Sequence, residues 1–567
     1  MKSRLMRGGV TALVCIFVFG CSKDKPAMVL DSGTDTGDTD TGSDTGIETG
    51  WDSVTILDVS APDEYTVEID LHGVPPVEDA ADVDSYEIGS DYGSLTIESA
   101  SYDSDAKTIT LLTTKQKLGI TYLLKITADE APDNLEKSFL SADTAEFWVA
   151  NFAGSGYGQY QIVANRAHVG ELCVVYVEEG FNPSNLLESA FYFDSDVYPI
   201  ETDLFIDAPD LDDNGKITML GLDGQGYYGG YFAPTNAYTE DYTYSNWGIH
   251  SNEMEIIHIN VAGGSFDHGG GIVAHEFQHL LYHERHGFSE YWTYHDEGLA
   301  ESAVRAVNGD YQYAIGFYFS DSSGLIGAGS VSLVNWTYAL YENYVTAFLF
   351  WGYIAGQLDG VDTYSDIFHL NNGDPDEVDT FLEARMGLSF AEVQLNHMIA
   401  TWVQDPTGVY GYEGFLNLNG ITPPEVPSGV SSIDLEPFAG TYFSLSQDSV
   451  DYPGTQGADI VYAGIDSAGN VDLTAPFDKQ GGALLVLNSD FEHSAYPTQH
   501  SGPDIAAGSK GVDYLGSASS NPLMWTGVFD GVFPPTWYDP PPYNPENPEP
   551  FYRWKEAAEQ RLVNIGE

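Results

Sequence analysis

The chain has 567 residues, 43% of them hydrophobic and 13% aromatic. That content supports several packed domains of roughly 100–200 residues each and excludes a disordered chain. Charge is one-sided: 20 Lys and Arg stand against 86 Asp and Glu, a net charge of −66. Such a chain offers no basic face to neutralise phosphates, which excludes nucleic acid and an anionic membrane surface as partners. A dense carboxylate surface suits salty water and favours basic over acidic substrates.

Lys2, Arg4 and Arg7 give the N-terminus a positive start. The apolar run from Val10 to Phe19 is too short to span a bilayer. It ends Val18-Phe19-Gly20-Cys21. This resembles the lipobox of bacterial lipoproteins, although Phe19 stands where that pattern has a smaller residue. The resemblance implies that residues 1–20 are a signal peptide and that Cys21 carries lipid. The alternative is ordinary secretion with cleavage nearby. Ser22 after the cysteine points to the outer membrane if the cell is Gram-negative, with the body facing periplasm or exterior. Cys15, Cys21 and Cys173 are too few for a disulfide framework. Cys173, in Leu172-Cys173-Val174-Val175, reads as a buried core residue.

Residues 21–52 form a tether. From Asp31 onward they are Asp, Thr, Gly and Ser with almost no apolar content, so they cannot bury enough to offset ordering. Residues 53–146 then alternate with period two: Thr66-Val67-Glu68-Ile69-Asp70, Ser94-Leu95-Thr96-Ile97-Glu98, Lys107-Thr108-Ile109-Thr110-Leu111 and Tyr122-Leu123-Leu124-Lys125-Ile126. Short strands at near-regular spacing predict a β-sandwich. The pattern resembles bacterial immunoglobulin-like modules, which implies a spacing or supporting role.

The chemistry lies in residues 147–412. His275-Glu276-Phe277-Gln278-His279 sits in an apolar frame of Ile272, Val273, Phe277, Leu280 and Leu281, with Gly269 to Gly271 before it and Gly287 after. These signals predict a helix. Residues four apart share a helix face, so both imidazoles reach one metal ion, and Glu276 is placed to take a proton from a bound water. Two His ligands do not complete a catalytic zinc site. Tyr282 and Arg285 stand where a third His at the end of an extended motif would need Gly and His. The remaining solution is a carboxylate from a second helix. Downstream comes Asp296-Glu297-Gly298-Leu299-Ala300-Glu301, with Glu297 eighteen residues beyond His279.

This arrangement resembles the gluzincins, the thermolysin and aminopeptidase N type. The resemblance implies an α+β thermolysin-like fold, Glu297 as third zinc ligand and Glu301 as the acid that orients a ligand His. Further blocks narrow the resemblance: Asp210 to Leu220, Gly229-Gly230-Tyr231-Phe232, Ser251 to His258, Tyr341 to Tyr353, Phe390 to Val393 and Ile399 to Trp402. Together they resemble the hyicolysin family of secreted bacterial neutral metallopeptidases. Related enzymes use a Tyr or His to stabilise the oxyanion, which casts Tyr344 or Tyr341 in that role. His268, His283, His286 and His295 have no slot in the pattern and are read as non-ligands, with His283 and His286 on the helix's polar edge.

Asp210-x-Asp212-x-Asn214-Gly215 matches the first half of an EF-hand loop, but Gly221 falls where the bidentate Glu belongs. Two readings stand: a partial calcium site on Asp210, Asp212 and Asn214 completed by Asp207 or Asp223, or an Asx-rich turn into a strand from Lys216 to Leu222.

Residues 413–520 return to a β pattern, with strands at Gly440 to Leu445 and Gly482 to Leu487, and predict a second sandwich. Residues 521–567 are rich in Pro and aromatics and end in a short helix over Phe551 to Val563. The whole reads as a monomeric, surface-anchored zinc endopeptidase acting on protein or peptide. The alternative is a catalytically silent adhesin or binding lipoprotein on the same fold, and an exopeptidase is a weaker third.

Overall fold

The computed structural model describes residues 50–151, 158–224, 229–262, 271–287, 292–309, 312–336, 340–418, 421–426, 435–444, 460–474 and 482–489. The expected signal segment, Cys21, the expected tether before residue 50 and the Pro-rich tail lie outside these residues. No helix among the described residues is long and apolar enough to cross a membrane.

The alternating segments form two four-stranded antiparallel sheets. One has the order β1 (Thr55–Asp63), β2 (Thr66–His72), β6 (Thr108–Thr113), β5 (Ile97–Asp103). The other has the order β4 (Gly93–Leu95), β3 (Tyr86–Ser90), β7 (Thr121–Ile126), β8 (Glu136–Leu140). Alternation does what the pleat requires: Val67, Ile69 and Leu71 are buried while Glu68 and Asp70 are exposed. The strand expected over Ser94 to Glu98 is broken at Thr96. Its first half pairs with β3 and its second with β6, so the chain changes sheets there. A short helix α1 (Val77–Ala80) closes one side.

Three residues separate β8 from β9 (Thr144–Asn151), and hydrogen bonds lock this junction. The buried Gln116 donates to the carbonyls of Asp63 and Thr66 and accepts from the amide of Ala142. The Arg166 guanidinium donates to the carbonyls of Ser141 and Ala142. Glu64 accepts from the amide of Glu146 at 3.0 Å. The sandwich is therefore braced against the next unit rather than strung from it.

A six-stranded mixed sheet follows, in the order β13 (Gly230–Phe232), β14 (Ile256–Asn260), β12 (Ile217–Leu222), β11 (Cys173–Glu178), β10 (Gly158–Val169), β9. β11, β12 and β14 are mutually parallel, and their apolar side chains alternate between two cores. Cys173, Val175, Met219 and Ile257 face the helices, whereas Val174, Tyr176, Leu220 and Ile256 face the other side. Burial on both faces explains these continuous apolar runs. Cys173 is a free, buried thiol, as its surroundings implied.

The helices are α2 (Ser184–Tyr192), α3 (Tyr198–Leu204), α4 (Glu240–Trp247), α5 (Gly271–His286), α6 (Thr293–Asn308), α7 (Gln312–Ser320), α8 (Tyr341–Gln357), α9 (Asp362–Phe368), α10 (Pro375–Met386) and α11 (Phe390–Val403). α6 packs between α5 and α8. Gly298 permits the close approach to α8: a Cβ there would lie 2.5 Å from two atoms of the Trp351 ring. Trp351 in turn donates its indole N–H to the carbonyl of Tyr294 at 3.1 Å.

The C-terminal region departs from expectation. Among the described residues it holds one sheet, in the order β15 (Gly440–Ser444), β18 (Ala483–Asn488), β16 (Ile460–Ile465), β17 (Val471–Asp472). Helix α11 covers it: Leu395, Met398 and Ile399 meet Tyr442, Ala463, Leu485 and Leu487. A helix thus supplies the apolar cover that a second sheet was expected to give. Leu416 and Leu418, beyond the boundary expected at 413, belong to the helical core.

Candidate metal centre

Helix α5 is buried continuously from Val273 to His283, which is why its apolar residues appear on more than one face. It ends at Gly287, whose φ of 61° is left-handed and suits glycine. The chain returns as α6, whose first three turns are also buried. Two buried helices packed face to face bring their inward polar groups into one volume.

Three acceptor atoms converge there. His279 Nε2 lies 3.2 Å from His275 Nε2 and 3.2 Å from Glu297 Oε2, and His275 Nε2 lies 3.4 Å from the same oxygen. Ligands about 2.0–2.1 Å from a tetrahedral zinc are about 3.3–3.4 Å apart, so these separations match one face of the tetrahedron. The other ring nitrogens are also engaged. His279 Nδ1 is 2.9 Å from Asp296 Oδ1, and His275 Nδ1 is 3.5 Å from Glu301 Oε1. A carboxylate facing Nδ1 favours the tautomer protonated there, which leaves the Nε2 lone pair toward the other donors. Two ring nitrogens and a carboxylate oxygen brought this close together could hold a metal ion. His275, His279 and Glu297 are the grouped donors that meet this description.

Tyr344 on α8 donates its hydroxyl to Glu297 Oε1 at 3.0 Å. This hydroxyl, expected near an oxyanion, is thus bonded to the one carboxylate among the three grouped donors. Tyr341 is buried against Phe317 and Tyr344. Glu276 is fully buried beside the two His. It rests on the edge strand β13, where a Cβ on Gly230 would come within 2.6 Å of Glu276 Oε1. Gly230 thus leaves room for the carboxylate.

The remaining histidines divide by position. His295 bonds the Tyr282 hydroxyl through Nδ1 and the carbonyl of Ile367 through Nε2, and burial pulls it down to about 4. His283 is not on a polar edge: it is buried near Phe232 and Tyr238, and burial lowers it to about 4. His268 lies outside the described residues. Sequence reasoning missed Asp296 and the fully buried Glu201 of α3. Burial drives the Glu201 carboxyl well above the ordinary range, with His275 and His279 pulling the other way.

The Asp210 loop, between α3 and β12, places two of its expected ligands together and adds a third from elsewhere. Asp210, Asp212 and Glu255 bring carboxylate oxygens within 4.8 Å of one another. Asn214 is instead committed to the turn: its Oδ1 accepts from the amide of Lys216 at 2.6 Å and its amide donates to Asp212 at 2.7 Å. Asp207 and Asp223 are not part of the group.

No family model matches the chain. It is 25% identical over 265 residues to the neutral metalloprotease ShpI of Staphylococcus hyicus, a stretch covering 41% of this chain and 57% of that protein. The chain thus spans a little over half the length of this curated relative and is its distant homologue. Among solved structures, native yeast LTA4 hydrolase is 12% identical, covers 62% of this chain and 72% of its own, and gives a TM-score of 0.26. The N-terminal part of the bacterial S-layer protein SbsC is 17% identical over 23% of this chain and 34% of its own, with a TM-score of 0.15. Both scores are too low to bear on the fold.

Proposed function

We propose that the chain is a zinc metallopeptidase that hydrolyses protein or peptide bonds, with His275, His279 and Glu297 as ligands and Glu276 as general base. One observation carries this reading: three inward-facing acceptors at tetrahedral spacing, each buttressed from behind, with the Glu276 carboxylate beside them. The distant neutral metalloprotease homologue supports it. An intact ligand set with its supports weighs against a silent binding protein.

When bound, zinc supplies the Lewis acidity that acidifies a water and polarises the scissile carbonyl. The protein does the rest. Asp296 and Glu301 hold the Nδ1 protons and set the two rings. Tyr344 fixes the Glu297 carboxylate. Glu276 takes the proton of the attacking water and delivers it to the leaving amine. β13 lies at the edge of the central sheet beside Glu276, and an extended peptide added along that edge would carry a carbonyl to the site. That geometry favours an internal peptide bond and therefore an endopeptidase.

The remaining assignments belong to the same reading. Residues 1–20 are a lipoprotein signal, Cys21 is the lipidated N-terminus, and residues 21–52 hold the body off the membrane. The sandwich is of the immunoglobulin type, which its split of outer and inner strands, 1-2-6-5 against 4-3-7-8, supports. The test is Glu276→Gln. It keeps zinc while casein cleavage falls at least about 10²-fold, the usual worth of a general base. Cleavage at the wild-type rate in that variant would remove Glu276 from the mechanism.

A further inference from the structure

The loop between α3 and β12 lies against the sandwich, and its donors share no residue with the zinc-ligand set. Asn214 donates to the carbonyl of Leu118 at 3.4 Å, and Lys117 donates to the carbonyl of Asp213 at 3.2 Å. Both partners come from the segment joining β6 to β7. Glu255 reaches the same point from the start of β14. Its Oε1 accepts from the amide of Leu211 at 2.6 Å. Its Oε2 is buried with no hydrogen-bond partner, and the residue is 3% exposed. A carboxylate oxygen shut away from water without a donor is costly in its charged form unless a proton or a cation meets it.

We infer that Asp210, Asp212 and Glu255 form a calcium site that clamps the sandwich to the metallopeptidase body. Three considerations choose this ion. The donors are all carboxylate oxygens, with no His or Cys, which suits a hard cation rather than zinc. Oxygens about 2.4 Å from one calcium lie at most about 4.8 Å apart, and this set falls within that span. Three protein carboxylates exceed the one or two that magnesium normally takes, and the exposed side at Asp210 leaves room for water ligands.

The charges around the site agree. Asp212 is raised to about 7, first by burial and then by Glu255 and Asp210. Glu255 is raised as well, chiefly by burial, with Asp210 and Glu284 adding to it. Lys117, whose charge partly offsets the rise at Asp212, bonds Asp213, and Lys216 is spent on the carbonyls of Gly170 and Glu171. The ion would therefore tie together three separate stretches of chain: residues 117–118 of the sandwich, the 210–215 loop and the lead into β14.

The test uses the zinc-loaded full chain. Equilibrium dialysis with calcium alone should give one calcium per chain at a Kd on the order of 0.1–1 mM, typical of extracellular sites. Calcium should also raise the melting temperature, and an equal concentration of magnesium should not. Glu255→Gln and Asp210→Asn should each weaken calcium at least about tenfold and abolish the thermal shift, with zinc content unchanged. Asp210 is exposed and Asn keeps its acceptor oxygen, so that variant remains informative if Glu255→Gln does not fold. No calcium bound at 10-fold above about 1 mM would overturn the inference. So would wild-type calcium affinity in both variants, or magnesium binding as tight as calcium. Because zinc is counted on the same samples, failure of this site is distinguishable from failure of the zinc centre.

Discussion

Removing one hydroxyl separates two roles for Tyr344. The residue is fully buried, and its hydroxyl donates to Glu297 Oε1 at 3.0 Å. Tyr344→Phe leaves that oxygen without its donor and frees the carboxylate to turn. A hydrogen bond to a charged, buried acceptor contributes about 1.5–3 kcal/mol. If that energy positions the ligand, zinc affinity falls about 10- to 150-fold, at 1.4 kcal/mol per decade. The assay is competition with a chromogenic chelator, followed by peptide hydrolysis at saturating zinc. The geometry predicts weaker zinc, with kcat at saturating zinc within about tenfold of wild type. Unchanged zinc affinity with kcat reduced about 10²- to 10³-fold, the signature of a lost oxyanion donor, would refute the positioning role and restore the oxyanion reading.

Three further outcomes follow from named contacts. Gly230→Ala puts a Cβ against Glu276 Oε1, so zinc content should hold while kcat falls about 10²-fold, as misplacement by an ångström can cause; full activity would show that the base tolerates the shift. Asp296→Asn exchanges the Nδ1 acceptor of His279 for a neutral one and should weaken zinc about 10- to 100-fold in the same chelator competition. His397 is buried among Phe350, Tyr353 and Tyr412, and burial alone lowers it to about 3 from an ordinary 6.5. The folded state then binds fewer protons than the unfolded chain below pH 6.5. Stability should be complete above that pH and should fall by roughly 1.4 kcal/mol per unit below it, about 2 kcal/mol at pH 5. Denaturant melts of His397→Leu should show a smaller acid loss; an equal loss would place the sensitivity elsewhere.

Periodicity carried the reading wherever one element sufficed. Val67, Ile69 and Leu71 announce their sheet face, and His275 and His279 share a helix face by spacing alone. Glu297 and Glu301 stood out through the resemblance to the gluzincins, and they lie one turn apart on α6. What escaped depends on how elements meet. Asp296 meets His279 only because α6 packs against α5, on the side of the ring away from His275 and Glu297. Glu255 reaches the Asp210 loop because β14 lies parallel beside β12, a pairing between residues some forty apart. Tyr344 stood out on its helix, but its partner was fixed by the packing of α8 on α6, which Gly298 controls. The cover of the C-terminal sheet is likewise a long-range choice: α11 reads as one more amphipathic helix until its apolar face is seen against Tyr442 and Leu485.

The central claim is that one zinc sits between His275, His279 and Glu297 and is required for hydrolysis. Elemental mass spectrometry on the purified full chain and on His279→Ala, with casein cleavage measured on the same samples before and after chelation, tests it directly. The account predicts one zinc per wild-type chain, cleavage that chelator abolishes and added zinc restores, and neither zinc nor cleavage in the variant. A wild-type chain that cleaves casein without zinc, or a variant that keeps its zinc, would contradict it.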